Sequence, residues 1–259
     1  MSLRVTVLAS GSSGNLTLVE GTRGRILIEL GLSEREMSKR LRAAGVDPGE
    51  VDAALISHEH ADHVGGATLF SRKNGVPIYT SRATAAAAAL AASDLAGLVE
   101  VVPGRAFEVA GMRVHPFTLP HDAADNVGYV VEEGGSRVGY ATDLGYPSAL
   151  AAERLRGCGI LVVEANHDLE MLKTGPYPAY VKQRVMSRTG HLSNDQSAVL
   201  LKETVTEGTR AVFLAHLSLK NNEGRLALEA GRRALRELGC GSVHLHLTFQ
   251  AHPSVSIET

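Results

Sequence analysis

The chain has 259 residues, of which 44% are hydrophobic, enough for a full core, and it balances 26 basic against 28 acidic side chains. A formal net charge of −2 excludes a generally basic nucleic-acid binder, though it leaves room for a local basic face. No apolar tract is long enough to span a bilayer, the start Met1-Ser2-Leu3-Arg4 carries no secretory pattern, and the two cysteines, Cys158 and Cys240, read as free core thiols of a cytoplasmic protein.

In chain order, apolar alternation predicts strands over Arg4–Ala9, Thr17–Glu20 and Arg25–Ile28, the last two joined by a Gly21-Thr22-Arg23-Gly24 turn. Ser33-Glu34-Arg35-Glu36 reads as a capping box opening a helix to about Ala44, closed by Gly45. Val51 to Ile56 is a short buried strand. A polar loop, a helix to about Lys73 and a strand over Val76–Thr80 follow. The tract Ala83 to Ala92 reads as a buried Ala-rich helix. A meander is expected over Val99–Val102, Arg105–Val109, Arg113–Phe117, Val127–Glu132 and Arg137–Ala141, with Gly134-Gly135 turning its last hairpin. Next come a helix near Ser148–Leu155, a strand over Ile160–Val163, and helical pieces around Pro178–Val185 and Ser193–Thr206. A strand over Ala211–Ala215, a helix over Arg225–Leu238 and a strand over Ser242–Phe249 end the chain. Strand runs alternating with helices in both halves, without a linker, fit an α/β four-layer αββα sandwich in a single domain, residues 1–259.

The loop after the Val51–Ile56 strand spells His58-Glu59-His60-Ala61-Asp62-His63, three imidazoles and a carboxylate at ligand-type spacing, followed by Gly65-Gly66. Such a cluster at a strand end points to a metal site rather than a solvated polar turn. Further candidate ligands also end strands: His121 in Leu119-Pro120-His121-Asp122, Asp143 after Gly139-Tyr140-Ala141-Thr142, and His216 after Ala211–Ala215. His115, His244, His246 and His252 read as structural or surface residues. From Met171 to Asn194 there is no acidic residue, while Lys173, Lys182, Arg184 and Arg188 are present. That run is either a solvated face or one that meets phosphates.

The hexapeptide and the order of the later ligands resemble the metallo-β-lactamase-fold hydrolases. The resemblance implies two divalent metal ions, Zn²⁺ or Mn²⁺: His58, His60 and His121 would hold one, Asp62, His63 and His216 the other, and Asp143 would bridge them. Glu29 departs from the family, which has an aspartate there to support the ligating histidines. Five stretches, Ala9-Ser10-Gly11-Ser12-Ser13-Gly14-Asn15, Pro120 to Asp125, Val163-Glu164-Ala165-Asn166-His167-Asp168, Gly190-His191-Leu192-Ser193-Asn194 and Ala215 to Asn222, resemble the YycJ (WalJ)-like bacterial branch. This implies metal-assisted hydrolysis of phosphodiesters, with DNA as substrate and 5′→3′ exonuclease activity. The implied catalytic residues are Asp62, Glu164 and His191, with Glu164 orienting His191 and His191 protonating the departing oxygen. Substrate contacts are expected from Ser12, Ser13, Asn15, Asn166, His167, Lys173, Arg184, Lys220 and Asn221. Other readings are a small cyclic- or nucleotide-phosphodiesterase, a glyoxalase-type thioesterase, and a non-catalytic metal-binding protein should Glu29 spoil the site.

Overall fold

Alternating Val, Ile and Leu residues divide each strand between two buried faces, and the computed structural model, which describes residues 2–259, shows what each face covers. In the first sheet β1 (Arg4–Ala9), β2 (Leu16–Glu20) and β3 (Arg25–Ile28) run antiparallel. The sheet then turns parallel through β4 (Ala53–Leu55), β5 (Ile78–Thr80) and β6 (Leu98–Glu100), with α1 (Glu34–Ala43), α2 (Ala61–Val64), α3 (Ala67–Asn74) and α4 (Arg82–Ala87) in the connections. The second sheet repeats this plan. β7 (Phe107–Val109), β8 (Met112–Thr118), β9 (Val127–Glu133) and β10 (Ser136–Ala141) are antiparallel, and β11 (Ile160–Glu164), β12 (Ala211–Ala215) and β13 (His244–Leu247) continue in parallel. Its connections hold α5 (Ala149–Leu155), α6 (Leu169–Thr174), α7 (Ala179–Val185), α8 (Asn194–Thr204) and α9 (Gly224–Glu237). A terminal strand, β14 (Ile257–Glu258), returns to pair with β1.

Val5, Ile26, Ile28 and Leu55 meet Val114, Tyr129, Ile160, Val162 and Phe213 between the sheets. The intervening residues face outward: Leu27 and Ala54 pack with Met37, Leu41 and Phe70, and Leu161 and Val163 pack with Leu155, Leu201 and Leu235. The result is the expected αββα sandwich.

Several local expectations change. The strand at Leu98–Glu100 leaves the meander and pairs in parallel with β5, because α4 and the turn after it provide the crossover that a parallel strand needs. The Ala-rich helix is only Arg82–Ala87 and largely exposed. Thr84 and Leu90 anchor it, since alanine methyls have little apolar area to bury, and Ala89 at φ 52° turns the chain away. At α1, Ser33 accepts from the Glu36 N–H, but the Glu36 carboxylate pairs with Arg40 instead of reaching back. A reciprocal capping box forms at Ser193 and Gln196, opening α8. Cys158 is buried and Cys240 only half-buried, both unbonded. Among the described residues no helix is long and apolar enough to cross a membrane.

The parallel strands of both sheets present their carboxyl ends to one edge, the usual place for a site in open α/β sheets. Three residues just past those ends adopt the left-handed conformation without being glycine: Glu29 (φ 68°), Asp143 (φ 59°) and His216 (φ 56°). Each such residue costs of order 1–3 kcal/mol, a strain kept where side-chain direction matters.

Candidate metal centre

The chain leaves β4 extended, and His60 sits at the N-cap of α2, whose single turn places Asp62 and His63 beside each other. The His63 N–H donates to the His60 carbonyl at 2.8 Å. Behind the loop, Gly66 packs so closely on the Leu32 carbonyl that no side chain would fit. His58 Nδ1 lies 2.8 Å from Ser57 Oγ, which turns its Nε2 toward His60 Nδ1 at 3.0 Å. His121 donates from Nδ1 to the Gly190 carbonyl (3.0 Å). Its remaining nitrogen, Nε2, is buried and lies 3.3 Å from Asp122 Oδ1, and Asp143 Oδ2 is buried 3.2 Å from His63 Nε2, neither approach having hydrogen-bond geometry.

On the other side, His63 Nε2 lies 3.2 Å from Asp143 Oδ2 and 3.5 Å from Asp62 Oδ2, while its Nδ1 faces Glu29 Oε2 at 3.3 Å. His216 Nε2 is 3.3 Å from Asp62 Oδ2, and its Nδ1 is 3.0 Å from Glu164 Oε1. Candidate donor atoms therefore gather in overlapping sets, each within 4.8 Å: His58, His60 and His121; Asp62, His63 and His216; His58, His63 and Asp143; and Asp143, Glu164, His191 and His216. Asp143 lies between the two triads. A buried polar atom left unpaired costs about 1–3 kcal/mol; a divalent cation among His58, His60 and His121 would satisfy His121 Nε2, and one among the sets that include Asp143 would satisfy its Oδ2. The imidazole and carboxylate donors suit zinc or manganese, so these residues fit the group.

The two triads differ electrically. Burial pushes His58 well below its ordinary pKa and lowers His121, keeping both neutral with lone pairs to offer. Burial alone would also lower His63 and His216, but Asp143, helped by Glu29 at His63 and by Asp62 at His216, raises both well above the ordinary value. Burial would raise the Asp143 carboxyl, yet His216 and His63 hold it well down. Protons and cations thus compete most strongly at the acid-rich triad.

Glu164 ends β11 fully buried. Its Oε1 accepts from His191 Nδ1 (2.8 Å) and His216 Nδ1 (3.0 Å), and its Oε2 from the backbone N–H groups of Leu144 (3.1 Å) and Leu192 (3.0 Å). Burial opposes the charge, but His191 and the two histidine hydrogen bonds outweigh it and hold the carboxyl at about 2. His191 is raised in turn, by Glu164 against the effect of burial. The His191 side chain keeps 19% of its surface exposed, so it faces the mouth of the centre while Glu164 lies behind it.

The other expected site residues separate into supports and surface groups. Glu29 sits behind His63, outside every donor set, and also accepts from the Ser57 N–H at 3.3 Å. Asn15, expected at the substrate, is instead buried beneath the metal loop. Its Nδ2 is 3.2 Å from both the Asp62 carbonyl and His63 Nε2, and its Oδ1 accepts from the Gly11 N–H. Asn166 is likewise buried, donating to the His216 carbonyl at 2.9 Å. Asn221 is buried, and its backbone joins Ser218 and Asp168. His167 is buried, with burial bringing its pKa down to about 4, and its carbonyl accepts from the Asn194 N–H. Lys173 pairs with Glu170, and Arg184 with Asp122. Ser12 and Ser13 are exposed at a loop tip, and exposed Lys220 reaches over the Tyr177 ring.

Sequence reading missed several supports. Ser10 Oγ accepts from the His216 N–H (2.7 Å), and Asn126 donates to the Asp143 carbonyl. Asn194 and Asn222 exchange side-chain hydrogen bonds at 2.8 and 2.9 Å, and Asn222 also donates to the Ala165 carbonyl. Their only sequence signal was position, since each small polar residue stands within a few places of a strand end or a ligand.

Residues 24–217 match the family model described as beta-lactamase superfamily domain. The chain is 33% identical over 247 residues to exodeoxyribonuclease YycJ of Bacillus anthracis, covering 93% of this chain and 92% of that protein. It is 32% identical over 249 residues to exodeoxyribonuclease WalJ of Streptococcus pneumoniae, with the same coverage of each. Among solved structures, the metallo-beta-lactamase fold protein YhfI of Bacillus subtilis superposes with a TM-score of 0.77 at 17% identity, covering 100% of this chain and 99% of the other. Human tRNase Z, short form, superposes at 0.67 with 15% identity and 98% coverage of each. With the fold, the ordered ligand set and the relatives in agreement, the chain belongs to the metallo-β-lactamase superfamily and, within it, to the YycJ/WalJ family.

Proposed function

We propose that this protein is a two-metal phosphodiester hydrolase that degrades DNA as a 5′→3′ exonuclease. The observation that carries the reading is the Glu164–His191 pair, held at 2.8 Å at the open side of the two ligand triads. His58, His60 and His121, Asp62, His63 and His216, and Asp143 would hold the divalent cations, which when bound would supply Lewis acidity and lower the pKa of water. Glu164 engages His191 Nδ1, so Nε2 is the nitrogen left to give a proton to the departing oxygen. The Leu144 and Leu192 N–H groups fix Glu164 in place for that task. An alkoxide leaving group needs that proton, and such acid catalysis is worth about 10²–10⁴-fold. Asp62 is steadied by Asn15 and His216, which aligns it with the second triad. The names of the YycJ and WalJ relatives support DNA as the substrate.

The test is incubation of metal-depleted protein with 5′-phosphorylated, end-labelled single-stranded DNA and added Mn²⁺ or Zn²⁺, with Asp143→Ala as control. Metal-dependent release of mononucleotides from the 5′ end, absent in the control, is the expected result. Intact DNA together with hydrolysis of a bis-aryl phosphodiester would replace it with a small-molecule phosphodiesterase. That second reading is favoured by the pairing of Lys173 with Glu170 and of Arg184 with Asp122, which leaves less free charge for a polyanion. Thioester cleavage that survives His191→Ala would point to a glyoxalase-type activity, and stoichiometric metal with no turnover on any substrate would point to a binding protein.

A further inference from the structure

Resting on the DNA reading, we infer that α7 and the loops around it form a stacking platform for single-stranded nucleic acid at the mouth of the metal centre, with Tyr180 as its exposed ring. Tyr180 is 74% exposed and Leu219, on the loop after His216, is 82% exposed. Tyr180 is the most exposed tyrosine or phenylalanine ring among the described residues, so its face is open to a stacking partner. Tyr180 and Arg184 are four residues apart on α7 and so share a face, and Arg184 reaches Asp122, the neighbour of His121. The same segment touches the centre again where the Asp122 N–H donates to the Thr189 carbonyl (3.0 Å) and His121 to that of Gly190. Tyr180 therefore stands on the rim of the centre.

Cations and rings interleave along that rim. Lys220 Nζ lies 5.7 Å over the Tyr177 ring, in the loop before α7, and the Arg188 guanidinium, in the loop after it, lies 4.3 Å over the Tyr146 ring. Residues 171–194 contain no acid; Lys173 and Arg184 are held by Glu170 and Asp122 from outside the segment, whereas Lys182, Arg188 and Lys220 have no carboxylate partner among the described residues and supply the free positive charge. A cationic track beside an open aromatic face is the arrangement that holds unpaired strands, each base stacking on a ring while its phosphate meets a cation. Bases in a duplex are already stacked and cannot use the ring.

The experiment uses the full-length, metal-loaded protein and fluorescence anisotropy with a nuclease-resistant phosphorothioate oligo(dT) and an abasic strand of equal length. Tyr180→Ala should weaken oligo(dT) binding roughly 5- to 150-fold, Tyr180→Phe should bind within about two-fold of the parent, and the abasic strand should bind all three alike and weakly. Hydrolysis of a bis-aryl phosphodiester should be the same in the parent and Tyr180→Ala. Undiminished oligo(dT) binding by Tyr180→Ala overturns the platform, as does equal affinity of the parent for the abasic strand. So does a Tyr180→Ala defect confined to binding of anionic phosphatidylglycerol vesicles, or confined to self-association in gel filtration. If no phosphodiester is hydrolysed yet oligo(dT) binding depends on Tyr180, the platform stands and the nuclease reading falls. If hydrolysis is present and binding ignores Tyr180, the platform alone falls.

Discussion

The two halves of the molecule bring their metal-binding side chains together in different ways. In the first half His58, His60, Asp62 and His63 share one loop and one helical turn, and the contact that orders them spans three residues, His63 N–H to the His60 carbonyl. In the second half His121, Asp143 and His216 come from the ends of three separate strands. Glu164 binds Leu144, His191, Leu192 and His216, Asn166 ties the His216 carbonyl, and Asn194 and Asn222 join the loops behind them. One half is a local motif steadied from behind by Asn15 and Glu29. The other is an assembly in which removing one polar partner disturbs several ligands together, as expected of a satisfied buried network.

The largest effect should come from Asp143→Ala, which removes the carboxylate between the triads. Phosphodiester hydrolysis should fall by at least about 10⁴-fold, the scale of losing a central member of a catalytic constellation, with fewer metal ions per chain by elemental analysis. Next, His191→Ala should lower kcat about 10²–10⁴-fold on substrates with alkoxide leaving groups and much less on aryl esters, with metal content retained. Loss of metal in that variant would show that His191 belongs to the ligand assembly.

Glu29→Gln probes the support behind the local motif and should weaken metal affinity about 10–100-fold, read by competition with a chromogenic chelator. An unchanged affinity would mean that the hexapeptide needs no carboxylate behind it. Asn222→Ala probes the assembled half. It strands the Ala165 carbonyl and the Asn194 amide and should cost about 1–3 kcal/mol in denaturant unfolding. The smallest effect belongs to the helical shell, where Ser38 and Lys73 hold Glu34. Hydrogen bonds from Lys73 and Ser38 keep the Glu34 carboxyl below its ordinary value. A depressed carboxyl contributes stability above its unfolded pKa and loses it as the pH falls through the folded one. The difference between the parent and Lys73→Ala should therefore be present at neutral pH and shrink below the ordinary carboxylate range of about 4.5. Because Lys73 is 61% exposed, the pair should be worth only about 0.2–1 kcal/mol.

The strand-end motifs were legible because their residue types and neighbours announce them. Period-two alternation fixes which residues of β3 and β11 face the facing sheet, and four ligand-type residues in six positions have few other uses. The basic run from Met171 was legible as charge but not as structure. Arg184 finds Asp122 across 62 residues of sequence, and Arg188 lies on Tyr146, pairings that no spacing along the chain announces. The roles of Asn15 and Asn166 were not separable in the sequence for a related reason. A short amide near a site looks the same in sequence whether it meets a ligand or a backbone carbonyl, and burial alone separates the two.

The chain's own sequence determined the layers, the order of the strands' functional ends and the donor types, all of which depend on residue character and near neighbours. Only the tertiary structure decided which atom of each donor faces inward, that Glu164 serves both His191 and His216, and that Glu29 stops behind His63. Those outcomes depend on strand ends distant in sequence meeting at one sheet edge, where backbone strain at Glu29, Asp143 and His216 aims side chains that local preference alone would not place there.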